Sequence, residues 1–365
     1  MKPRLLVLEL RMMGDAVMSL PFLRAAAERF EVHIACAPAG REVFELALPP
    51  GRVLVWQPPW LAESASSNPG HSPGGGAVDF IKRLRAVRAD VAVSVWPDAR
   101  THILMGLSGA RERIGFPMTA VNYYASHLGW RKRQLLLGPM LGALGGLGLL
   151  RPLLTRKLFK RDYLQHHVEN WRQLVDALSL NWNATAPWLN APEGKLPEAM
   201  EAFLASVRGA RRRVWLVHPG ARTPNRRWAW AGFERVIRET LLPAGAAVVV
   251  VKPPEMDLPA TDGGGWCVAA PNGLVELLRL TSRVDHVLCN DTGMAHLAAA
   301  LGKRTVGVFT ANLPQWFAPH GSADLAVDHD ACPHRPCLDR CVMPSFVCRE
   351  AVTVEMVQAQ VSKLL

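Results

Sequence analysis

The chain has 365 residues, of which 49% are hydrophobic and 20% are charged, and its formal net charge is +11. A chain of this length exceeds the size at which one hydrophobic core keeps growing, so we expect two domains, and the composition excludes a disordered or fibrous protein. The excess of basic residues points to polyanionic partners. Charge alone does not choose between nucleotides, a phosphorylated glycolipid and an anionic membrane.

The N-terminal residues predict a first strand rather than a secretory signal peptide. Their short apolar run is interrupted by Glu9 and followed by Arg11, a pattern that does not fit the apolar region of a signal peptide. The longest stretch without charge, residues 135–150, is shorter than the roughly 20 apolar residues that a membrane span needs. We therefore expect a cytoplasmic protein.

Short apolar runs alternate with helical patterns through the first half of the chain. Strands are predicted at 4–10, 32–38, 52–59 and 91–97, and helices at 16–30 and 80–89. Strands that alternate with helices at this spacing predict βαβ units around a parallel sheet. The first half is therefore expected to be Rossmann-like.

A Pro- and Asn-rich stretch at residues 181–198 separates this half from a second one of the same kind. In the second half, strands are predicted at 213–220, 246–254 and 284–290, and helices at 231–242, 274–282 and 297–302. The sequence thus predicts an α/β fold with two Rossmann-like domains, 1–182 and 183–365.

The predicted strand 284–290 opens into a polar segment, Asn290 to His296, that leads into a helix. Free N–H groups and the positive end of the helix dipole would meet there at the carboxyl edge of the sheet, which suits a diphosphate. Gly293 permits close approach of the backbone. The alternative is a purely structural N-cap formed by Asp291 and Thr292.

A second polar loop follows the predicted strand 213–220 and holds Arg222, Arg226 and Arg227 beside Trp228. Arginine forks match phosphate oxygens, so this loop is a candidate anion site at the same edge of the sheet. The alternative is a set of solvated surface arginines. In the first half, Asp15 lies between a strand and a helix, where a carboxylate could act as a general base or only cap the helix.

These segments occur in one order that resembles the ADP-heptose:lipopolysaccharide heptosyltransferase family, glycosyltransferase family 9. The matching motifs are Gly14-Asp15, the HPGA at 218–221 with a basic residue ahead of Trp228, the NDTGMAHLAAALGK at 290–303, and the Pro and Trp positions at 314–321. The resemblance covers about residues 4–356. It implies a GT-B fold with the active site in the interdomain cleft, an acceptor-binding first domain and a nucleotide-sugar-binding second domain.

The resemblance also implies roles for individual residues. Asp15 would deprotonate the acceptor hydroxyl for inverting attack on the donor sugar. The residues implied in donor binding are Arg226, Glu255, Asp291, Thr292, Gly293 and His296. No cofactor is implied, because the helix dipole and arginines can neutralise the leaving diphosphate.

The chain departs from the family pattern beside the expected donor pocket. Arg226 replaces the usual Lys, Ala229 replaces the usual Pro, and the usual Phe-Gly-Pro-Thr turn reads Phe-Thr-Ala-Asn at 309–312. The usual Gly-rich turn has also become Lys-Pro-Pro-Glu at 252–255, which makes Glu255 a weak correspondence. ADP-heptose is the leading donor, and another nucleotide sugar stays open.

Four cysteines lie close together near the C-terminus, at Cys332, Cys337, Cys341 and Cys348. Their number would suffice for a structural zinc site, but the paired two-residue spacing of zinc ribbons is absent. We interpret them as a local staple, either a metal site or a disulfide, and not as catalytic residues.

The function that the sequence favours is transfer of a heptose from ADP-heptose, with inversion, to an acceptor of the lipopolysaccharide core or lipid A type. The alternatives are transfer of another activated sugar to a cell-surface glycan, and a nucleotide-binding module without turnover. Nucleic acid is not an expected partner, because the basic residues are scattered and lack interleaved aromatic residues. The apolar and basic segment 134–161 suggests that the inner-membrane surface is a partner.

Overall fold

The computed structural model describes residues 1–60, 75–117, 153–158, 165–253, 256, 258, 265–337 and 341–365. The chain divides into two compact units, Met1–Thr185 and Ala186–Leu365. The division falls within the Pro- and Asn-rich stretch 181–198. In the part of the chain that the structure describes, no helix is both long and apolar enough to cross a membrane.

The first unit contains one parallel sheet with helices between its strands. The strands are β1 (Arg4–Glu9), β2 (Glu31–Cys36), β3 (Val53–Val55), β4 (Val91–Ser94), β5 (Glu112–Gly115) and β6 (Arg156–Lys157). The helices among its described residues are α1 (Met13–Met18), α2 (Leu20–Arg29), α3 (Arg41–Ala47), α4 (Ala77–Ala86), α5 (Ala99–Leu107) and α6 (His167–Ala177). The strand order is β3-β2-β1-β4-β5-β6, which is the Rossmann order.

The second unit repeats this plan. Its strands are β7 (Val214–His218), β8 (Ala247–Val251), β9 (Trp266–Ala269), β10 (His286–Asn290), β11 (Arg304–Phe309) and β12 (Val327–Asp328). Its helices are α7 (Glu198–Gly209), α8 (Trp230–Val236), α9 (Gly273–Ser282), α10 (Gly293–Ala300), α11 (Pro314–Phe317), α12 (Val347–Glu350) and α13 (Val354–Ser362). The strand order β12-β11-β10-β7-β8-β9 is again the Rossmann order.

Continuous apolar strands explain why both sheets are covered on two faces. Along β8, Val248 and Val250 pack into one hydrophobic cluster, whereas Val249 and Val251 pack into another. Successive side chains of a strand point to opposite faces, so a strand without polar alternation must be buried on both sides. In the first unit β1 follows the same rule, since its residues from Leu5 to Leu8 have no exposed surface.

The helix predicted over 16–30 is in fact two helices, because α1 ends at Met18 and α2 begins at Leu20. Pro21 has no N–H to donate to the carbonyl of Val17, so the hydrogen-bond ladder is interrupted there. Ser19 lies at the junction, and its hydroxyl donates to the carbonyl of Ala16 at 2.7 Å. The helix predicted over 231–242 likewise changes character, since a π-helical segment, Ile237–Leu241, follows α8.

Each sheet has a point at which its strand order reverses. In the first unit β1 lies between β2 and β4, and in the second unit β7 lies between β8 and β10. The loops that follow β1 and β4, and those that follow β7 and β10, therefore emerge side by side at the carboxyl edge of their own sheet. Ligands of open α/β sheets bind at such switch points.

Candidate active site

In the second unit, Asn290 joins the two loops at the switch point. It ends β10, has no exposed surface, and its side-chain oxygen accepts a hydrogen bond from the Trp228 N–H at 3.1 Å. Its side-chain nitrogen donates to the carbonyl of Pro219 at 2.7 Å. Both bonds hold the 219–228 loop against the end of β10, which brings Arg226 beside Asp291.

Asp291 is the buried charge of this site, with 2% of its surface exposed. Its Oδ2 accepts a hydrogen bond from Asn312 Nδ2 at 2.7 Å and lies 3.5 Å from Arg226 Nη1. The Arg226 side chain is 22% exposed, so its guanidinium reaches the surface while it faces the carboxylate. A charge buried to this degree needs an ionic or hydrogen-bonded partner, and Asp291 has both.

Helix α10 begins next to this pair. Thr292 is the N-cap residue, but its side chain forms no capping hydrogen bond, and its buried Oγ1 lacks a hydrogen-bond partner within the described residues. The capping role considered for Thr292 from the sequence is therefore wrong for its side chain. The Thr292 side chain therefore does not bind the first-turn N–H groups, and such groups at a helix N-terminus can bind an anion.

The structure also places the two other described donor residues and Arg227, which the sequence puts on the same loop as Arg226. Gly293 begins α10, and the buried His296 lies one turn further along, with its ring centroid 6.4 Å from that of Phe317. Arg227 turns back on its own loop and donates to the carbonyl of Ala221 at 2.8 Å. Glu255 lies outside the described residues.

The turn at 309–312, which departs from the family pattern, contacts the arginine-bearing loop at 219–228 (the arginine loop). Thr310 and Asn312 have no exposed surface. The Thr310 hydroxyl donates to the carbonyl of Asn225 at 2.6 Å, and the Asn225 side-chain nitrogen donates to Cys337 Sγ at 3.2 Å. Thr310, which replaces the usual Gly, therefore holds the arginine loop in place.

The four C-terminal cysteines form no disulfide with one another. Burial raises the pKa of Cys348, and the neighbouring Cys337, Cys332 and Cys341 thiols raise it further. The cysteines therefore lie near one another. Even so, within the described residues no group of three or more His, Cys, Asp or Glu side chains is arranged to hold a metal ion.

In the first unit, Asp15 lies at the switch point that β1 and β4 define. Its Oδ2 accepts a hydrogen bond from the Met12 N–H at 3.2 Å, so the helix-capping role exists. Its Oδ1 faces a different group, the imidazole of His167, whose Nε2 lies 3.9 Å away. The Asp15 side chain is 16% exposed, so the carboxylate is both anchored and reachable.

Sequence reasoning missed several residues around Asp15. The buried Glu9 accepts hydrogen bonds from Trp96 Nε1 at 3.1 and 2.9 Å, and Trp96 contacts both Arg11 and His167. A usable signal was present for Glu9, a lone charge inside an apolar strand. Nothing in the local spacing links Trp96 or His167 to Asp15.

Two Rossmann-order units, each with polar side chains gathered at its switch point, have the architecture of the GT-B class of glycosyltransferase. The chain belongs to glycosyltransferase family 9 (heptosyltransferase), whose family model matches residues 148–345. It is therefore a glycosyltransferase of the heptosyltransferase family, as its motifs predict.

Solved structures support the fold. The family 9 glycosyltransferase of Veillonella parvula DSM 2008 is similar over 99% of this chain and 97% of its own, with a TM-score of 0.64 and 14% identity. The Escherichia coli heptosyltransferase WaaC with ADP-2-deoxy-2-fluoro heptose is similar over 99% of this chain and 100% of its own, with a TM-score of 0.60 and 16% identity. The E. coli ADP-heptose lipopolysaccharide heptosyltransferase II is similar over 100% and 98%, with a TM-score of 0.56 and 18% identity. A comparison with curated protein sequences gives no match.

Proposed function

We propose that this glycosyltransferase transfers a heptose from ADP-heptose, with inversion, to a lipid-linked anionic acceptor of the lipopolysaccharide core or lipid A type. The observation that supports this most is the Arg226–Asp291 pair at the N-terminus of α10, with 3.5 Å between Nη1 and Oδ2. The solved WaaC structure that contains ADP-2-deoxy-2-fluoro heptose agrees with a nucleotide-heptose donor.

The charges of the residues at the switch point of the second unit suggest which part of the donor each of them would bind. Arg226 and the first-turn N–H groups of α10 are positive and suit the diphosphate. Asp291 would repel a phosphate and suits instead a hydroxyl group of the sugar, which can donate to a carboxylate. Gly293 lets the donor approach the helix backbone, and His296 lies one turn along the same helix.

The first unit would bind the acceptor and supply the base. Asp15 takes the proton of the acceptor hydroxyl while that oxygen forms a bond to the anomeric carbon of the heptose. The bond between the anomeric carbon and the diphosphate oxygen breaks at the same time, and ADP leaves with the electron pair. Attack from the face opposite the leaving group inverts the anomeric configuration, and Arg226 with the helix dipole stabilises the charge on ADP.

Another nucleotide-activated sugar is a second candidate donor. Asn312 contacts the very carboxylate that would bind the sugar, and it stands where the family has Thr. A change beside Asp291 alters which hydroxyl groups that carboxylate can accept from. The donor sugar must therefore be tested directly.

We also propose that the enzyme works at the cytoplasmic face of the inner membrane as a peripheral protein. A lipid-linked acceptor requires that the enzyme reach a membrane surface, and the net charge of +11 favours anionic lipid. The segment suggested for this contact, 134–161, lies largely outside the described residues. Within it the structure gives the exposed Arg156 and Lys157 of β6.

The decisive experiment offers the purified enzyme ADP-heptose, UDP-glucose or UDP-N-acetylglucosamine together with a lipid A-type acceptor. We expect mass spectrometry to show a product only with ADP-heptose, and NMR to show inverted configuration at the new linkage. Transfer from another donor would overturn the heptose assignment. ADP binding without turnover of any donor would favour the nucleotide-binding module.

The same assay tests the base. Asp15→Asn should lower the rate of transfer by at least about 100-fold, because general base catalysis typically contributes this much, while ADP affinity stays within about twofold. Asp79→Asn is a matched control, because Asp79 is an exposed helical carboxylate of the same unit. Near-normal turnover of the Asp15→Asn enzyme at saturating substrates would remove Asp15 from the mechanism.

A further inference from the structure

The side chains of Arg11 and His167 and the buried carboxylate of Glu9 form a cluster around the indole ring of Trp96. The Arg11 guanidinium carbon lies 4.2 Å from the ring centroid, and the His167 ring centroid lies 4.8 Å away with an interplanar angle of 30°. The indole N–H donates to both oxygens of Glu9. Trp96 is thereby fixed by a charge-assisted bond at its edge, and it in turn offers a fixed surface to the imidazole.

His167 is held from a second direction by its own helix. It is the first residue of α6, and its side chain is 1% exposed. Further along α6, the Trp171 ring stacks on Phe22 of α2 with centroids 5.2 Å apart. The helix is thus docked on α2, and the imidazole has little freedom to move relative to α1 and Asp15.

Burial of an imidazole at this position costs more free energy than burial of an apolar ring. A phenyl ring of similar size would pack on Trp96 without the desolvation cost of two ring nitrogens. The feature that a phenyl ring lacks is a nitrogen directed at Asp15, and His167 Nε2 lies 3.9 Å from Asp15 Oδ1. Such pairs are often long without substrate and shorten to hydrogen-bond distance in the reacting complex.

We propose that His167 is a positioning residue for Asp15, held in place by Trp96 and Glu9. Its Nε2–H donates to Oδ1, while the Met12 N–H holds Oδ2, so the carboxylate is fixed at both oxygens with its remaining lone pairs directed to the acceptor. The inference rests on the proposed function, in which Asp15 is the base. It adds the residues that orient this base, which lie on β1, after β4 and on α6.

Two substitutions separate the ring from its nitrogen. His167→Phe keeps an aromatic ring against Trp96 and removes the donor, whereas His167→Gln keeps an N–H near the place of Nε2. We expect kcat of His167→Phe to fall by about 10- to 100-fold with the donor KM within about twofold, because misplacement of a base affects the transition state only. His167→Gln should recover at least a third of the wild-type kcat. A normal kcat for His167→Phe, or equal losses in both variants, would overturn the proposal.

A substrate-free measurement separates this proposal from the proposed function. Among the described residues, Asp15 faces the His167 ring directly, and Glu9 and Arg11 contact Trp96, which packs on that ring. The His167 signal in NMR spectra of labelled histidines, identified by its loss in His167→Phe, should titrate at lower pH in Asp15→Asn, because a carboxylate stabilises the imidazolium. An unchanged titration overturns the pairing even if the enzyme is active. If the titration shifts but the wild-type enzyme transfers no sugar, the pairing stands and the proposed function is refuted.

Discussion

The side-chain amide of Asn312 donates a 2.7 Å hydrogen bond to the carboxylate of Asp291. Asn312 has no exposed surface and Asp291 only 2%. Arg335, whose side chain is 1% exposed, donates in turn to the backbone carbonyl of Asn312 at 2.5 Å. The Cys-rich segment that contains Arg335 thus supports the turn that supports Asp291.

We predict that Asn312→Ala weakens ADP-heptose binding by about tenfold or more. The substitution removes a hydrogen bond to a buried charge, a contribution of about 1.5–3 kcal/mol, and so leaves the Asp291 carboxylate less firmly held. Titration calorimetry with ADP-heptose and with ADP should show the larger loss for ADP-heptose, because Asp291 is proposed to bind the sugar. Asn272→Ala, at an exposed asparagine of the same unit, is the control, and equal affinities in the two variants would argue against this contact.

The arginine loop gives a second prediction. Arg226→Ala should weaken binding of ADP itself by about 10- to 100-fold, because a charge-assisted contact to the diphosphate is lost. Asp291→Ala should affect ADP less than ADP-heptose. Arg222→Ala supplies the control on the same loop, since Arg222 is exposed, and its ADP affinity should stay within about threefold. If Arg222→Ala costs more than Arg226→Ala, the assignment of the phosphate contact is wrong.

The parts of this fold that could be predicted are those that local sequence determines. An apolar run such as β8, with four successive valines after Ala247, favours a strand buried on both faces, and a polar segment after such a strand then lies at the edge of the sheet. This pattern predicts the two polar loops after β7 and β10. The break at Ser19 had a local signal too, in Pro21, but the helical spacing of apolar residues on both sides obscured it.

The contacts that complete the sites were not predictable, because they join distant parts of the chain. Asp291 and Asn312 lie on successive strand ends, and their contact depends on β10 and β11 being neighbours. His167 meets Asp15 only because α6 returns to the sheet edge where β1 ends. Such contacts depend on the order of the strands in the sheet, and the spacing of residues along the sequence does not reveal that order.

Membrane association can be tested through the basic residues of segment 134–161, which are Arg151, Arg156, Lys157, Lys160 and Arg161. Replacement of all five by Gln should reduce sedimentation with anionic vesicles, since each cation near such a surface contributes about 1 kcal/mol. High salt should have the same effect on the wild type, because it screens the attraction.

The control replaces five exposed cations elsewhere by Gln, namely Lys82, Arg111, Arg172, Lys195 and Lys363. This variant has the same net charge as the test variant. If both variants lose vesicle binding equally, the attraction comes from net charge and not from the segment. If the test variant binds vesicles as well as the wild type at low salt, the segment does not mediate membrane binding, and the alternative that it belongs to the protein core is favoured.

The last prediction concerns the acid stability of the first unit and depends on His102. Burial lowers the pKa of His102 from its usual 6.5 to about 4, although Asp98 and a backbone hydrogen bond oppose the change. The folded protein therefore keeps His102 neutral at pH values where the unfolded chain protonates it. The resulting stability is fully present above about pH 6.5 and is lost as the pH falls toward 4, by about 2 kcal/mol between pH 7 and pH 5.

His102→Met should remove this part of the pH dependence, so that the free energy of unfolding from urea titrations changes less between pH 7 and pH 5 than in the wild type. His329→Met, at an exposed histidine, should leave the wild-type difference in place. An equal pH dependence in His102→Met and wild type would mean that His102 is protonated in the folded protein, or that other groups dominate its acid unfolding.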